Sequence, residues 1–288
     1  MNSIKHLVVV GVGLIGGSLS LALKRAGFVQ RVTGVGRSRE NLELASELGV
    51  IDDWTHDLTE AVRDADMVLL AVPMTAYDGL FKAMADVLPA HAIVTDAGST
   101  KQSAIVAAQK NLANPARFVA AHPIAGTEHS GAAAAFAELF EDHLCILTPD
   151  DHTDAEALAT VKSMWETAGC KIREMDAAEH DDALAGVSHL PHLAAFALVN
   201  AVRKQAGDSF EFAAGGFRDF TRIASSSPAM WRDIALCNQQ ALIGKIDALQ
   251  HELTILREAL EAGDGESLLH EFEAAKQARD AWLCEGKK

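Results

Sequence analysis

Residues 7–18 read Leu-Val-Val-Val-Gly-Val-Gly-Leu-Ile-Gly-Gly-Ser, and no other stretch limits the possible folds as sharply. The apolar run at 7–10 reads as a buried strand. Gly11, Gly13 and Gly16 follow at G-x-G-x-x-G spacing, and Leu14, Ile15, Leu19, Ala22 and Leu23 then recur at helical intervals. A strand, a tight turn and a helix opening leave backbone N–H groups free to hold a pyrophosphate. Gly11 makes the turn, Gly13 has no side chain to obstruct the phosphates, and Gly16 lets the helix press on the strand. Leu14 and Ile15, at the helix opening, complete this part of the expected cofactor-binding set.

The second strand, expected at 31–35, runs into Gly36, Arg37, Ser38 and Arg39. An NAD site usually ends this strand on an acid that holds the ribose 2′-hydroxyl. No acid stands there; an acid would repel a 2′-phosphate, which Arg binds bidentately. The pattern points to NADP, with NAD as a weaker alternative, unless Arg37 and Arg39 are merely solvated loop charges.

The 288 residues, 49% of them hydrophobic, suffice for a large core and two domains. A formal net charge of −15 argues against nucleic-acid or anionic-membrane partners. No apolar run approaches the ~20 residues of a bilayer crossing. The first residues lead directly into a strand and leave no room for a signal peptide. Cys145, Cys170, Cys237 and Cys284 form no C-x-x-C or zinc spacing and read as free thiols of a reducing cytoplasm; no metal is expected.

Apolar runs at 7–10, 32–35, 67–72, 92–95, 118–121, 144–148 and 172–175 alternate with helical patterns. Such alternation gives a mainly parallel, Rossmann-like sheet that binds ligands beyond the carboxyl ends of its strands. Val72 and Pro73 fall on that cofactor edge, and residues 96–99 and 122–123 follow later strands. Past Met175 the strand patterns fade. Helices are expected at 177–206, with Asp176 as N-cap, at 233–262 and at 266–284. The fold class is therefore α/β: a dinucleotide-binding domain over 1–175, followed by an all-α domain over 176–288. The apolar stripe Leu236, Ile243, Ile246, Leu249, Leu253, Leu256 and Leu260 suits a homodimer through the second domain.

His122 opens a loop-like segment, 122–131, directly after a strand of this sheet. An imidazole placed there can take an alcohol proton as hydride leaves the same carbon, although a loop-capping histidine fits equally. Asp96 and Ser99 read as caps, with the Ser99 hydroxyl turned toward substrate and cofactor as the alternative. His189 and His192 share a helix face, near Glu179, His180, Asp181 and Asp182. That spacing matches no standard metal site and Pro191 interrupts it, so these groups read as polar lining of an inter-domain cleft. Arg222 lies among apolar residues and needs a carboxylate, either Asp219 or Glu128 of the protein or an anionic ligand.

In this order, G-V-G-L-I-G-G-S, D-A-G-S-T-K, H-P-I-A-G-T-E-H-S-G, S-H-L-P-H and F-R-D-F-T-R-I-A-S-S-S-P-A-M-W-R-D-I resemble the prephenate/arogenate (cyclohexadienyl) dehydrogenases of tyrosine biosynthesis, over nearly the whole chain. The resemblance, not composition or spacing, implies oxidative decarboxylation of a cyclohexadiene carrying a ring carboxylate and a 4-hydroxyl. It implies that His122 accepts the hydroxyl proton, with Ser99 near it and the nicotinamide. It assigns Arg222 to a substrate carboxylate and His192 to a substrate contact, with His189 on the approach. It also implies that Glu128 and Asp219 hold Arg222, and that Thr127 and Trp231 line the pocket. Prephenate and arogenate are left undistinguished. No mutase or regulatory domain is expected beyond the last helix, which would put any tyrosine inhibition at the active site. Two other readings share the glycine turn. Another NADP-dependent hydroxy-acid dehydrogenase is disfavoured because no lysine stands near 189–192. A non-catalytic NADPH sensor would not need His122 and Arg222 together.

Overall fold

The computed structural model describes residues 4–127, 129–205 and 209–285. Strands β1 (Ile4–Val10), β2 (Val29–Val35), β3 (Asp53–Thr55), β4 (Met67–Leu70), β5 (Ile93–Asp96) and β6 (Phe118–Val119) form a six-stranded parallel sheet in the order β3-β2-β1-β4-β5-β6. Chain order reverses between β1 and β4, the switch point where open α/β sheets bind ligands. Alternate residues of the apolar strands feed separate cores. Leu7, Val9, Val32 and Leu69 join one cluster, while Val8, Val10, Val68 and Leu70 join the other. Helices α1 (Leu14–Arg25), α2 (Arg39–Glu47), α3 (Leu58–Ala61), α4 (Tyr77–Met84) and α5 (Gln102–Asn111) connect the strands.

The apolar run at 118–121 is not one strand, as the sequence suggested. β6 stops at Val119, and β7 (Ala121–Pro123) joins β8 (Leu144–Leu147) and β9 (Lys171–Glu174) in a second sheet of order β7-β8-β9, with α6 (Ala155–Thr167) between β8 and β9. β7 runs antiparallel to β8, placing His122 opposite Ile146. His122 is thus a strand residue rather than the start of a loop. Ala120 forms the corner, its carbonyl accepting the Thr148 N–H at 3.0 Å.

After β9 every described element is helical: α7 (Ala177–Leu184), a π-helical turn (Ala185–His189), α8 (Leu190–Gln205), α9 (Gly215–Thr221), α10 (Pro228–Cys237), α11 (Gln239–Ala262) and α12 (Gly265–Glu285), with short 3₁₀ turns between some of them. Asp176 caps α7 as expected, accepting the N–H groups of Ala178 and Glu179. The joined stretch Ala177–Lys204 is, by length and composition, long and apolar enough to cross a bilayer. This corrects the sequence expectation, which looked only for unbroken apolar runs. The stretch also carries buried, hydrogen-bonded His180 and Asp181. The helix expected over 233–262 breaks at Asn238, which leaves helical geometry (φ −116°, ψ 34°) to use its side chain elsewhere.

Contacts group the chain into two compact units, Met1–Gln239 and Gln240–Lys288, and every candidate site residue lies in the first. In the glycine turn, Gly11 adopts φ +95°, a conformation that L side chains rarely take. A Cβ on Gly16 would stand 2.4 Å from the Gly11 carbonyl oxygen and 2.8 Å from Val9 Cγ1. Gly16→Ala should therefore force α1 off β1 and lower unfolding stability by about 1–3 kcal/mol, the usual cost of overpacking, as read by urea denaturation.

Candidate active site

The glycine turn leaves α1 open at its N-terminus. Gly13 is the N-cap and supplies no side-chain cap, and no acid stands in the first turn. A Cβ on Gly13 would meet no protein atom within 4 Å, so it would project into the space in front of the helix. Free N–H groups at a positive helix end with an uncluttered approach fit a dinucleotide pyrophosphate. Val72 borders the turn: a Cβ on Gly11 would stand 2.7 Å from Val72 Cγ1. At the end of β2 the three expected residues separate in role. Ser38 caps α2 by accepting the Asn41 N–H, and Arg39 pairs with Glu43 at 2.8 Å and lies over the Trp54 ring. Arg37 is exposed and has no ion-pair partner among the described residues.

Beyond β5 lies a buried ion pair that the motif D-A-G-S-T-K did not disclose. Lys101 Nζ bonds Asp96 Oδ2 at 2.6 Å, and both side chains are fully buried. The same ammonium donates to the Ala121 carbonyl at 2.6 Å, while Asp96 Oδ1 accepts the Ala121 N–H at 2.9 Å. The pair thus grips both polar groups of the residue preceding His122. Asp96 also accepts the Gly98 N–H and the Tyr77 hydroxyl. Burial, then the charge of Asp96, pushes the Tyr77 phenol well above its ordinary value, so it serves as a neutral donor. Asp96 is therefore more than a loop cap. Ser99 does not cap α5, whose N-cap position is Lys101; it is half-buried, and no described residue bonds its hydroxyl.

The N-terminus of α5 is capped by a residue from another helix. Asp181, on α7, accepts the Lys101 N–H at 2.8 Å and the Gln102 N–H at 3.0 Å. Asp181 also binds His180 Nδ1 at 2.8 Å, and His180 Nε2 meets His122 Nδ1 at 2.8 Å. A carboxylate can only accept, so Nδ1 of His180 carries its proton and Nε2 is the acceptor. His122 must then donate from Nδ1, which leaves the lone pair on Nε2. The chain Asp181–His180–His122 thereby fixes the His122 tautomer and leaves Nε2 able to accept a proton. Burial, then the charges of Lys101, His180 and His189, hold His122 well below its ordinary pKa, so it is neutral near pH 7. Burial raises Asp181, but the bonds from His180 and from the N–H groups of Lys101 and Gln102 outweigh it and keep the carboxylate ionised. Sequence reasoning read His180 and Asp181 as polar lining of a cleft rather than as metal ligands and saw no catalytic chain in them; among the described residues no group of three or more His, Cys, Asp or Glu side chains that could hold a metal ion forms.

A cavity of about 810 Å³ is lined by Ala125, Gly126 and Thr127, by His192 of α8, and by Arg222, Met230 and Trp231 among others. His192 stacks on Trp231 with ring centroids 3.6 Å apart and donates from Nδ1 to the Ser188 carbonyl at 2.9 Å. The π-helical turn before Pro191 sets this arrangement, and π turns recur at functional sites. His189 departs from expectation. It is 1% exposed, does not line the cavity, faces the Asn238 amide at 3.1 Å and packs edge-on against Trp231. Burial lowers its pKa to about 4. Arg222 also departs: it is exposed at the cavity wall rather than enclosed by apolar groups. Asp219 is exposed and forms no ion pair with Arg222 among the described residues, and Glu128 lies outside them.

Family models match almost end to end. Residues 19–174 match "Prephenate dehydrogenase, nucleotide-binding domain", and residues 176–274 match "Prephenate dehydrogenase, dimerization domain". The cyclohexadienyl dehydrogenase of Zymomonas mobilis is 42% identical over 97% of this chain and 96% of its own length. The prephenate dehydrogenase of Bacillus subtilis is 39% identical over 97% of this chain and 77% of its own. Among solved structures, the Aquifex aeolicus prephenate dehydrogenase in complex with hydroxyphenyl propionate and NAD+ superposes with a TM-score of 0.91 at 35% identity, covering 97% of this chain and 99% of that one. The Synechocystis arogenate dehydrogenase gives 0.80 at 31% identity, covering 96% and 99%.

If neutral His122 serves as the proton acceptor, kcat should hold as pH falls below 6.5 and decline only through the lowered His122 pKa. His180→Gln removes the tautomer lock. It should cut kcat by less than the roughly 10²–10⁴ expected for His122→Asn. His189 gives a separate signature. Its unfolded form takes a proton near 6.5 and its folded form only near 4, so stability should fall as pH drops across that window. His189→Gln should flatten this slope in pH-dependent denaturation.

Proposed function

The chain belongs to the prephenate dehydrogenase family, and from that premise we propose how its own residues divide the work. It is an NAD(P)-dependent dehydrogenase that oxidatively decarboxylates prephenate or arogenate in tyrosine biosynthesis. The observation that carries the assignment of roles is the Asp181–His180–His122 chain beside the buried Lys101–Asp96 pair.

Gly11, Gly13, Gly16 and the N–H groups of Leu14 and Ile15 hold the pyrophosphate, with Val72 and Pro73 beside them. The bound nicotinamide supplies the hydride acceptor. His122 Nε2 takes the proton of the substrate 4-hydroxyl as that carbon is oxidised. The positive charge it gains is spread toward Asp181 through His180. When the ring carboxylate departs as carbon dioxide, the electrons of the broken bond make the ring aromatic, and His122 returns its proton to the new phenolic oxygen. Aromatisation drives the step, so the departing charge needs no metal. Ser99 orients the hydroxyl beside His122. Arg222 holds a substrate carboxylate in a charge-assisted fork, and Thr127, His192 and Trp231 shape the wall around the ring.

Within the nicotinamide class we assign NADP, with NAD as the weaker alternative. Arg37 has no ion-pair partner among the described residues, and no acid ends β2; NAD+ is the ligand of the Aquifex relative. We assign a homodimer through the C-terminal helices. Ile243, Leu253 and Leu260 are exposed apolar residues there, and the matched family model is named for dimerization. The functional division is set at 1–175 and 176–288, and the free cysteines suit the cytoplasm.

Steady-state kinetics with prephenate and arogenate, each with NADP and NAD and followed by reduced-nicotinamide absorbance, test this reading; absence of turnover with both substrates refutes it. Arg222→Ala should raise substrate KM far more than it lowers kcat, losing roughly 1.5–3 kcal/mol of binding. Arg37→Ala should raise the KM for NADP and leave that for NAD nearly unchanged; equal effects would remove the NADP assignment.

A further inference from the structure

Asn41, in the second half-turn of α2, joins two parts of the molecule that the mechanism treats separately. Its Nδ2 donates to the Val12 carbonyl at 2.7 Å, inside the glycine turn between Gly11 and Gly13. Its Oδ1 accepts the Ala132 N–H at 2.9 Å. Ala132 closes the segment that leaves β7 after His122 and supplies Ala125, Gly126 and Thr127 to the cavity wall. Gly131 adopts φ +84°, and a Cβ there would stand 3.2 Å from Asn41 Oδ1, so the close approach favours glycine. Ser18 of α1 holds the same segment by accepting the Phe136 N–H at 3.0 Å. One half-buried amide therefore spans from the pyrophosphate turn to the foot of the substrate loop, with a donor at one end and an acceptor at the other.

We propose that Asn41 is a positioning residue that couples cofactor binding at the glycine turn to the placement of the substrate loop. The inference rests on the functional reading above. Ordering Val12 around a bound pyrophosphate orders Asn41, and Asn41 fixes the Gly131–Ala132 end of the segment behind Thr127. Coupling between two sites is reciprocal, so substrate must tighten cofactor by the factor by which cofactor tightens substrate. Asn supplies both bonds; Asp keeps the acceptor for Ala132 but loses the donor for Val12, and Leu loses both.

The test measures dissociation constants of NADPH and of 4-hydroxyphenylpyruvate, each alone and with the other saturating, by fluorescence and calorimetry on the full chain. Wild type should show coupling of roughly 5–150-fold, the ordinary range for linked sites. Asn41→Leu should bring the ratio to within about twofold of one while both ligands still bind. Asn41→Asp should weaken NADPH alone more than 4-hydroxyphenylpyruvate alone, and it carries the test by itself should Asn41→Leu not fold. Coupling that survives intact in Asn41→Leu overturns the proposal, as does an Asn41→Asp variant that weakens both ligands equally without changing their ratio. Wild type that binds both ligands without coupling overturns it too. Wild type that binds neither ligand refutes the functional reading instead.

Discussion

The carboxylate of Asp181 is the group on which the catalytic arrangement depends. It is 1% exposed, and an ionised acid at that depth survives only because its oxygens are satisfied by donors. Two of those donors open α5, so the cap of one helix is lent by another. A third is His180, whose tautomer, and through it that of His122, follows from the fact that a carboxylate cannot donate. The backbone of the same residue also works: its carbonyl accepts the Asn238 amide at 2.7 Å, and Asn238 in turn faces His189. One position therefore ties α5, α7 and the end of α10 to the His122 imidazole. Removing its side chain would leave the helix opening uncapped and His180 free to flip.

The Lys101–Asp96 pair plays the complementary part. A buried pair is weak evidence for stability, because desolvation offsets most of its attraction. Here its value is positional. It holds the N–H and the C=O of Ala121 at once, and Ala121 begins the strand that aims His122. Lys101 also helps hold that imidazole neutral, as the proposed proton acceptor must be. Gly98 belongs to the same device: a Cβ there would stand 2.1 Å from Met74 Sδ and 2.8 Å from Asp96 Oδ2.

The strands of the first sheet were legible as apolar runs, because a parallel strand buried on both faces has little choice of residue. β3 was not: Asp-Trp-Thr is short, partly exposed and paired only at the edge. The break at Ala120 was hidden inside a continuous apolar run, since its cause, Thr148, lies far along the chain. The break at Asn238 was hidden for the same reason, within good helical periodicity. Of the site, the glycines, His122 and Arg222 carried local or motif signals. His180 did not, because its role comes from a partner 58 residues away in β7. Nor did the exposure of Arg222, which its apolar neighbours in sequence disguised. What resisted reading was in each case a long-range hydrogen bond or a surface that only packing defines.

Charge gives the last link between fold and function. The chain carries −15, yet both its ligands are anions. At physiological salt, fields fade over ~8 Å, so distant acids weigh little against groups in contact. On the proposed assignment, the anions are met by short-range devices: backbone N–H groups at the opening of α1, where no acid stands, and the exposed guanidinium of Arg222 at the cavity wall. Of the other basic groups, Arg218 stands beside Arg222 at the cavity wall, Lys101 is paired with Asp96, and burial lowers the pKa of His122, His189 and His192. The division follows from the chemistry. A cation is useful where a carboxylate must stay bound, and harmful where a carboxylate must leave as neutral carbon dioxide, because it would stabilise the starting anion more than the product. On the proposed assignment, a neutral imidazole and guanidinium groups confined to the cavity wall meet both demands together.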